Sequence, residues 1–482
     1  MGVRILEGAD DVADEFDIDV LVIGTGAAGL SAALQASDDP NLSVVLVDSE
    51  DHVGGASAWS TGIVMAAGTD FQAAEGISDT AEELAREYQV LNNWEVLPAI
   101  ANRLANDSGP TISWLVGLGA KCTGIIFAGD ERVPRAHVFE GLGANIVEVL
   151  FSEVKRRRNV DVVLKTRVTE LLRDDDGRVV GALAGDEEMR SRATILATGG
   201  FGANRMLLKE HFPRAHAADD WLWYVGPPSS RGDGLVMAAH AGADITGHDN
   251  GVLRLRANFT HENEGAYLPG WMVVVNSQGR RYMDEMSPYN VAEAVTSAQS
   301  GPVFALWDDR TKREAQPGTT AQHRKVNFPE GHPWEDFVEP VIDEMVEIGK
   351  VHVAQSIPEL ADKLGIPAPA LTATLETYNA DCHCGRDRFF DKQAPVFKTV
   401  ATPPFYATEL RLWHMPLTAV GPQIDADARV LDQHWNAIPG LYAAGEVTGG
   451  VVGKHYVGSG NAYANALVFG RRAGQTAASD LT

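Results

Sequence analysis

Cysteine is scarce in this chain. Three cysteines in 482 residues (Cys122, Cys382 and Cys384) are too few for a disulfide framework and point to a reducing compartment. Positive charge is also in deficit. Forty Lys and Arg stand against 66 Asp and Glu, a formal net charge of −26, which argues against nucleic acid or an anionic membrane as partner. No apolar run reaches about eighteen residues, so no membrane insertion is expected. The first residues, MGVRILEGADDVADEFD, are acidic and have no apolar core before a small-residue cleavage site. That is not a signal-peptide pattern, and a cytoplasmic protein is expected. Internal repeats and low-complexity tracts are absent as well. Cys382-His383-Cys384 has no second pair at finger spacing, so no metal site is expected and a loop is read there.

What is abundant is glycine, 48 residues, and its placement carries chemistry. The apolar strand Asp19–Ile23 runs into Gly24-Thr25-Gly26-Ala27-Ala28-Gly29 and an alanine-rich helix. This is G-x-G-x-x-G in its proper context. Gly24 makes the tight turn, Gly26 admits a pyrophosphate, and Gly29 lets helix and strand approach. A second strand, Ser43–Val47, ends at Asp48, about twenty residues on, where a carboxylate binds an adenosine ribose. A further small-residue loop follows at once: Gly54, Gly55, Ala56, Ser57, Ser60, Thr61 and Gly62. NAD does not need it; a cofactor that continues to a ribityl chain and a ring does, so FAD is the expected dinucleotide. The strand Ala193–Leu196 ends in Ala197-Thr198-Gly199, which fits beside the adenine or pyrophosphate.

The stretch Gly445–Gly474 organises the rest. It strings Gly449, Gly450, Gly453, Gly458 and Gly460 ahead of a helix expected over about residues 461–477. Unpaired N–H groups and the positive dipole end of that helix would face a ligand. Tyr456 stands four residues before Gly460. A phenol plus a nearby backbone N–H makes a clamp for a carbonyl oxygen.

Together these pieces resemble the fumarate reductase / 3-ketosteroid dehydrogenase superfamily of FAD proteins. The matching stretches are VLVIGTGAAGLSAA, VVLVDSEDHVGGASAWSTG, ILATGGFGAN, RGDGLVMAAHAGA, VVVNSQGRRYMDE, IPGLYAAGEVTGG and NALVFGRRAG, spread over most of the chain. The resemblance implies an α/β architecture: a Rossmann-like, glutathione-reductase-like FAD-binding domain with an inserted α+β substrate-capping domain. The boundaries read from the sequence are 1–251 and 409–482 for the FAD-binding parts and 252–408 for the cap. The resemblance puts Glu446, after Gly445, on the ribityl chain and the start of the last helix (Asn461, Ala462, Ala464) against the flavin. It adds Ala28, Ser49, Val168, Asn204 and Asp233 to the cofactor-binding set. His52 lies too close to Gly54 to be a flavin attachment point, so non-covalent FAD is expected.

Within this superfamily the fumarate reductases hold a dicarboxylate with arginines. At the two positions matched here by local pattern, tyrosines stand instead: Tyr289, in Pro288-Tyr289, and Tyr456, in Tyr456-Val457-Gly458-Ser459-Gly460. That is the pattern of 3-ketosteroid dehydrogenases. The resemblance therefore implies α,β-dehydrogenation of a cyclic ketone, either a 3-ketosteroid at Δ1 or Δ4 or a smaller cyclohexanone-like ring. The carbonyl would be held by the Tyr456 hydroxyl and the Gly460 N–H, and the α-proton taken by Tyr289. An ordinary phenol has a pKa of about 10, so Tyr289 needs help; His414, Tyr267 and Tyr224 are candidates. Two alternatives stay open. One is a fumarate-reductase-like ene-reductase of an unsaturated acid, favoured if Arg254, Arg256, Arg135 or Lys454 reaches the site. The other is a non-redox flavoprotein hydratase or isomerase. No haem, quinone or iron–sulfur segment is visible, so a separate electron acceptor (quinone, oxygen or another flavoprotein) is expected.

Overall fold

A computed structural model describes residues 5–7, 18–127, 129, 131–259, 268–314, 337–393 and 396–482. The chain forms two compact units: residues 1–217, 224–252 and 415–482 make the first, and residues 218–223 and 253–414 the second.

The first unit is built on a nine-stranded sheet. Its inner strands, Val160–Leu164, Val44–Val47, Ile18–Ile23, Glu187–Leu196 and Ala437–Ala443, run parallel in that order. The central strands Val44–Val47 and Ile18–Ile23 are apolar runs covered on both faces and show little polar alternation, whereas Glu187–Leu196 alternates exposed and buried residues over its first half. Register places Ile23 beside Val47 and Leu196. The C-terminal ends of three strands therefore converge where the glycine turn leaves the sheet, as ligand sites do in open parallel sheets. The helix Ala27–Ala36 is buried along its whole length. It packs against the terminal helix Asn461–Leu481. The contact is close because Gly470 and Gly474 face backbone: a Cβ at Gly470 would come within 2.4 Å of Ala28 O, and one at Gly474 within 2.2 Å of Ala32 O.

The second unit has a six-stranded sheet around Phe405–Thr418, which pairs antiparallel with Val303–Asp308. Gly251–Ala257, His352–Ala354 and Trp223–Tyr224 also pair with Phe405–Thr418, and Val273–Asn276 pairs with Val303–Asp308. The sheet carries apolar clusters on both faces. The segment 340–364, amphipathic in sequence, is two helices, Glu339–Glu347 and Ile357–Leu364, with the strand His352–Ala354 between them. Gly349, at φ +78°, ends the first helix and Ser356 caps the second. Cys382-His383-Cys384 is not a loop: it closes the helix Ala368–Cys384. Residues 131–143 contain the strand Ala136–Phe139 and the start of the helix Leu142–Val154.

Candidate active site

The glycine turn of the first unit is fixed by sterics. Gly24 has φ +110°, and a Cβ there would lie 2.2 Å from Ala197 O; a Cβ on Gly29 would lie 1.8 Å from Gly24 O. Gly26 is the N-cap of Ala27–Ala36. The turn Gly54–Ser57 folds over that N-terminus: Gly54 N–H donates to Thr25 O at 3.1 Å and Ala27 N–H to Ser57 Oγ at 3.0 Å. Gly55, Ala56 and Ser57 lie in the short helix Gly55–Trp59; Ser60, Thr61 and Gly62 follow, with Gly143 N–H donating to Ser60 O. Asp48 Oδ2 accepts from Thr25 N–H at 2.7 Å and from Thr25 Oγ1 at 2.5 Å. That ties the acid to the glycine turn. Ser49 beside it is exposed.

Further along, Ala197 N–H joins Ile23 O at 2.8 Å, and Thr198 Oγ1 is buried without a hydrogen-bond partner among the described residues. Gly199 follows at φ +73°. Val168 is buried in the apolar core. Two of the expected cofactor residues have their side chains engaged elsewhere. Asn204 caps the helix Arg205–His211, accepting from Met206 N–H and Leu207 N–H. Asp233 forms a two-pronged pair with Arg167 at 2.7 and 2.8 Å.

Gly445 has φ +82°, and its carbonyl accepts from Asn465 Nδ2 at 3.2 Å. Glu446 Oε1 accepts from Thr418 N–H at 3.0 Å and Thr418 Oγ1 at 3.1 Å. Burial pushes its carboxyl up to about 7, against the pull of those two bonds. Tyr224 is wedged between Gly202 and Gly226, where any Cβ would strike its ring. Burial and then the Glu446 charge push its phenol upward, so it stays protonated. This leaves Tyr224 unsuited to assist a base.

The terminal helix begins at Asn461 after Gly460, the N-cap, at φ +96°. Ala464 N–H closes the first turn onto Gly460 O. Ala462 N–H donates to the Tyr456 hydroxyl oxygen at 3.3 Å. The Tyr456 oxygen therefore sits on the helix N-terminus as an acceptor; a phenol that accepts there still carries one O–H donor. Asn461 Oδ1 lies 3.1 Å from the Tyr88 hydroxyl, which also lies 2.7 Å from Val451 O. The Asn461 Nδ2 is buried without a hydrogen-bond partner among the described residues. Tyr88, on the helix Ala81–Leu91, had no sequence signal: its link to Asn461 spans 373 positions.

In the second unit, Tyr289 opens the helix Tyr289–Ser297 after Pro288 and is 2% exposed. The Arg254 guanidinium lies over its ring, 5.2 Å from the centroid. Arg256, two residues on along the same strand, lies 5.8 Å from the Trp413 ring, and Trp413 Nε1 donates to Arg256 O at 3.0 Å. His414 is fully buried, edge-on to Trp223 at 5.2 Å, and neither ring nitrogen has a hydrogen-bond partner among the described residues. Burial, then Arg254 and Arg256, hold it well below the usual histidine range, so it is neutral. The charged residues of the GRRYMDE segment serve structure. Arg281 pairs with Glu285 at 2.8 Å and Asp387 at 2.6 Å, and buried Lys392 reaches Glu285 at 3.0 Å.

Arg135, a candidate cation for a dicarboxylate, is sequestered in the first unit by Asp79 at 2.7 Å and by Glu87. Tyr267 lies outside the described residues.

A cradle of glycines at the strand ends, an acid tied to the turn, a half-buried glutamate and a helix opening on unsatisfied Asn461 Nδ2 fit a dinucleotide that runs on to a flavin. The site is that of an FAD-dependent oxidoreductase acting on carbon–carbon bonds. The chain belongs to the FAD binding domain family, whose model matches residues 19–462. It is 30% identical to a fumarate reductase (cytochrome) of Shewanella frigidimarina, over 96% of this chain and 77% of that protein. It is 27% identical to a 3-oxosteroid 1-dehydrogenase of Mycolicibacterium smegmatis, over 94% of this chain and 96% of that one. Among solved structures, the 3-ketosteroid-Δ4-(5α)-dehydrogenase of Rhodococcus jostii RHA1 matches with a TM-score of 0.79 at 25% identity, covering 99% of this chain and 100% of that one. No described helix is long and apolar enough to cross a membrane.

Proposed function

We propose that this flavoprotein desaturates a cyclic ketone next to its carbonyl. The observation that carries the reading is the Tyr456 hydroxyl on the N-terminus of the terminal helix, following Gly460. A phenol proton and the positive end of a helix stabilise a ketone oxygen as it takes on enolate charge. Acidified in this way, the α-carbon gives its proton to Tyr289. FAD, when bound, supplies the acceptor for the hydride that leaves the β-carbon. The product is the enone, and a separate acceptor takes the electrons on. The Gly24–Gly29 turn, Gly54–Ser57 and Glu446 would hold the cofactor. The resemblance to two ketosteroid dehydrogenases supports a ketone with a fused-ring frame.

A second reading is an ene-reductase of an unsaturated acid. It is favoured by the 30% identity to a fumarate reductase and by two cations in the second unit, the half-buried Arg254 and the buried Arg256.

Anaerobic bleaching of the oxidised flavin band at about 450 nm separates the two. A saturated 3-ketosteroid or cyclohexanone should bleach it and succinate should not. Bleaching by succinate alone would replace the first reading with the second.

A further inference from the structure

Desaturation through Tyr289 leaves one chemical demand unmet, because a buried phenol is a poor base. Burial in apolar surroundings raises a phenol further. Three groups were candidates to counter this. Tyr224 is held protonated beside Glu446, His414 is neutral, and Tyr267 lies outside the described residues. A cation lies against Tyr289. The Arg254 guanidinium sits 5.2 Å from its ring centroid, and its Nε is buried with no hydrogen-bond acceptor among the described residues.

We propose that Arg254 is a positioning residue that acidifies the Tyr289 hydroxyl, so that the phenolate is available to accept the substrate's α-proton. The proposal rests on the ketone reading above. A guanidinium over an aromatic face is attracted by the ring's negative quadrupole. It is attracted more strongly once the ring carries the phenolate charge, and in a dry environment that difference is large. A second observation points the same way. Tyr289 is the first residue of a nine-residue helix, so its side chain leans back over the positive helix end.

The other charged and titratable groups on these elements are few. Arg256 adds positive charge from the same strand. His414, on Phe405–Thr418, adds none while neutral. Glu293, one turn along the helix from Tyr289, opposes ionisation. Its Oε2 accepts from Leu253 N–H at 3.3 Å, so it is anchored to the strand that carries Arg254. Arg254, on the ring itself, and the helix N-terminus act against that carboxylate.

The test uses FAD-loaded protein labelled with 3-fluorotyrosine and followed by fluorine NMR against pH. Tyr289→Phe identifies the Tyr289 resonance among the ten tyrosines. In wild type that resonance should titrate at least tenfold more acidic than in Arg254→Met. Arg254→Lys, which keeps the charge, should fall between them, and Arg254→Gln stands in if Arg254→Met does not fold. The acidic limb of kcat/KM for ketone oxidation should move upward with the NMR midpoint. An unchanged midpoint in both neutral variants overturns the proposal. A midpoint that moves with Arg254 in a protein that no ketone bleaches upholds the coupling and overturns the desaturation reading instead.

Discussion

At Tyr456 a single oxygen atom separates two chemistries. Its hydroxyl accepts from Ala462 N–H, which holds the phenol oxygen at the N-terminus of the helix Asn461–Leu481. Tyr456→Phe should keep FAD bound but lower ketone turnover about a hundred- to a thousandfold, the cost of one oxyanion donor. Stopped-flow flavin reduction would show it, and an unchanged rate would remove Tyr456 from the site. Glu446 makes a different prediction. Its carboxyl titrates near 7 in the fold against 4.5 as an ordinary glutamate. Between those values the folded apoprotein binds more protons than the unfolded chain, so stability falls as pH rises through that window, and the full loss is present above it. Glu446→Gln should therefore raise the urea midpoint of the apoprotein above pH 7 and leave it unchanged near pH 4. Both residues could be picked out in the sequence because a local motif surrounds each. Arg254 over Tyr289 could not. The two are 35 positions apart and meet only because a strand and a helix pack together.

The same divide between local and distant signals runs through the elements. The strand–turn–helix at residues 18–36 was legible because each residue answers a local demand: apolar alternatives for a two-sided strand, glycine for a positive φ, alanine for a buried helix. At residues 340–364 one amphipathic period hides a division into helix, strand and helix, although Gly349 and the Ser356–Glu359 cap mark it. The amphipathic period runs on past them, and the strand exists only because Phe405–Thr418 offers it a partner. At Cys382–Cys384 the expected loop is the last turn of a helix, whose end is marked by Gly385 at φ +70°, one residue beyond the Cys-His-Cys pattern. The contact between the first and terminal helices leads to the sharpest element-scale expectation. Gly474→Leu puts a side chain where even a Cβ would lie 2.2 Å from Ala32 O. It should lower the unfolding free energy by about 1–3 kcal/mol, the range for overpacking. It should also weaken FAD binding, because the displaced helix carries Asn461. Denaturant titration and flavin fluorescence would report the two effects, and a variant with wild-type values for both would mean the helices separate without cost.

On the scale of the whole molecule, the two units differ in what a ligand can do for them. The residues that fit FAD all lie in the first unit. Stripping the flavin should lower the heat stability of that unit and spare the second. Adding FAD back at a hundred times its dissociation constant should restore about 2.7 kcal/mol. Calorimetry of holo- and apoprotein would resolve this; equal shifts in both units would mean that the second is stabilised through the first. The α/β architecture was legible at this scale because the dinucleotide motif and the final glycine-rich stretch each name their place in it.

The pairing of Ala28 with Gly470 also has a bearing on how the protein is made. A ribosome delivers about 5–20 residues per second, so roughly 20 to 90 s pass between the synthesis of these two residues. During that interval the helix Ala27–Ala36, buried along its whole length in the finished protein, has no terminal helix to cover it, and the strand Glu187–Leu196 lacks its neighbour Ala437–Ala443. The nascent chain thus carries an apolar surface that only the helix Asn461–Leu481 can close. A chaperone that shields the early residues through that interval should raise the yield of yellow protein.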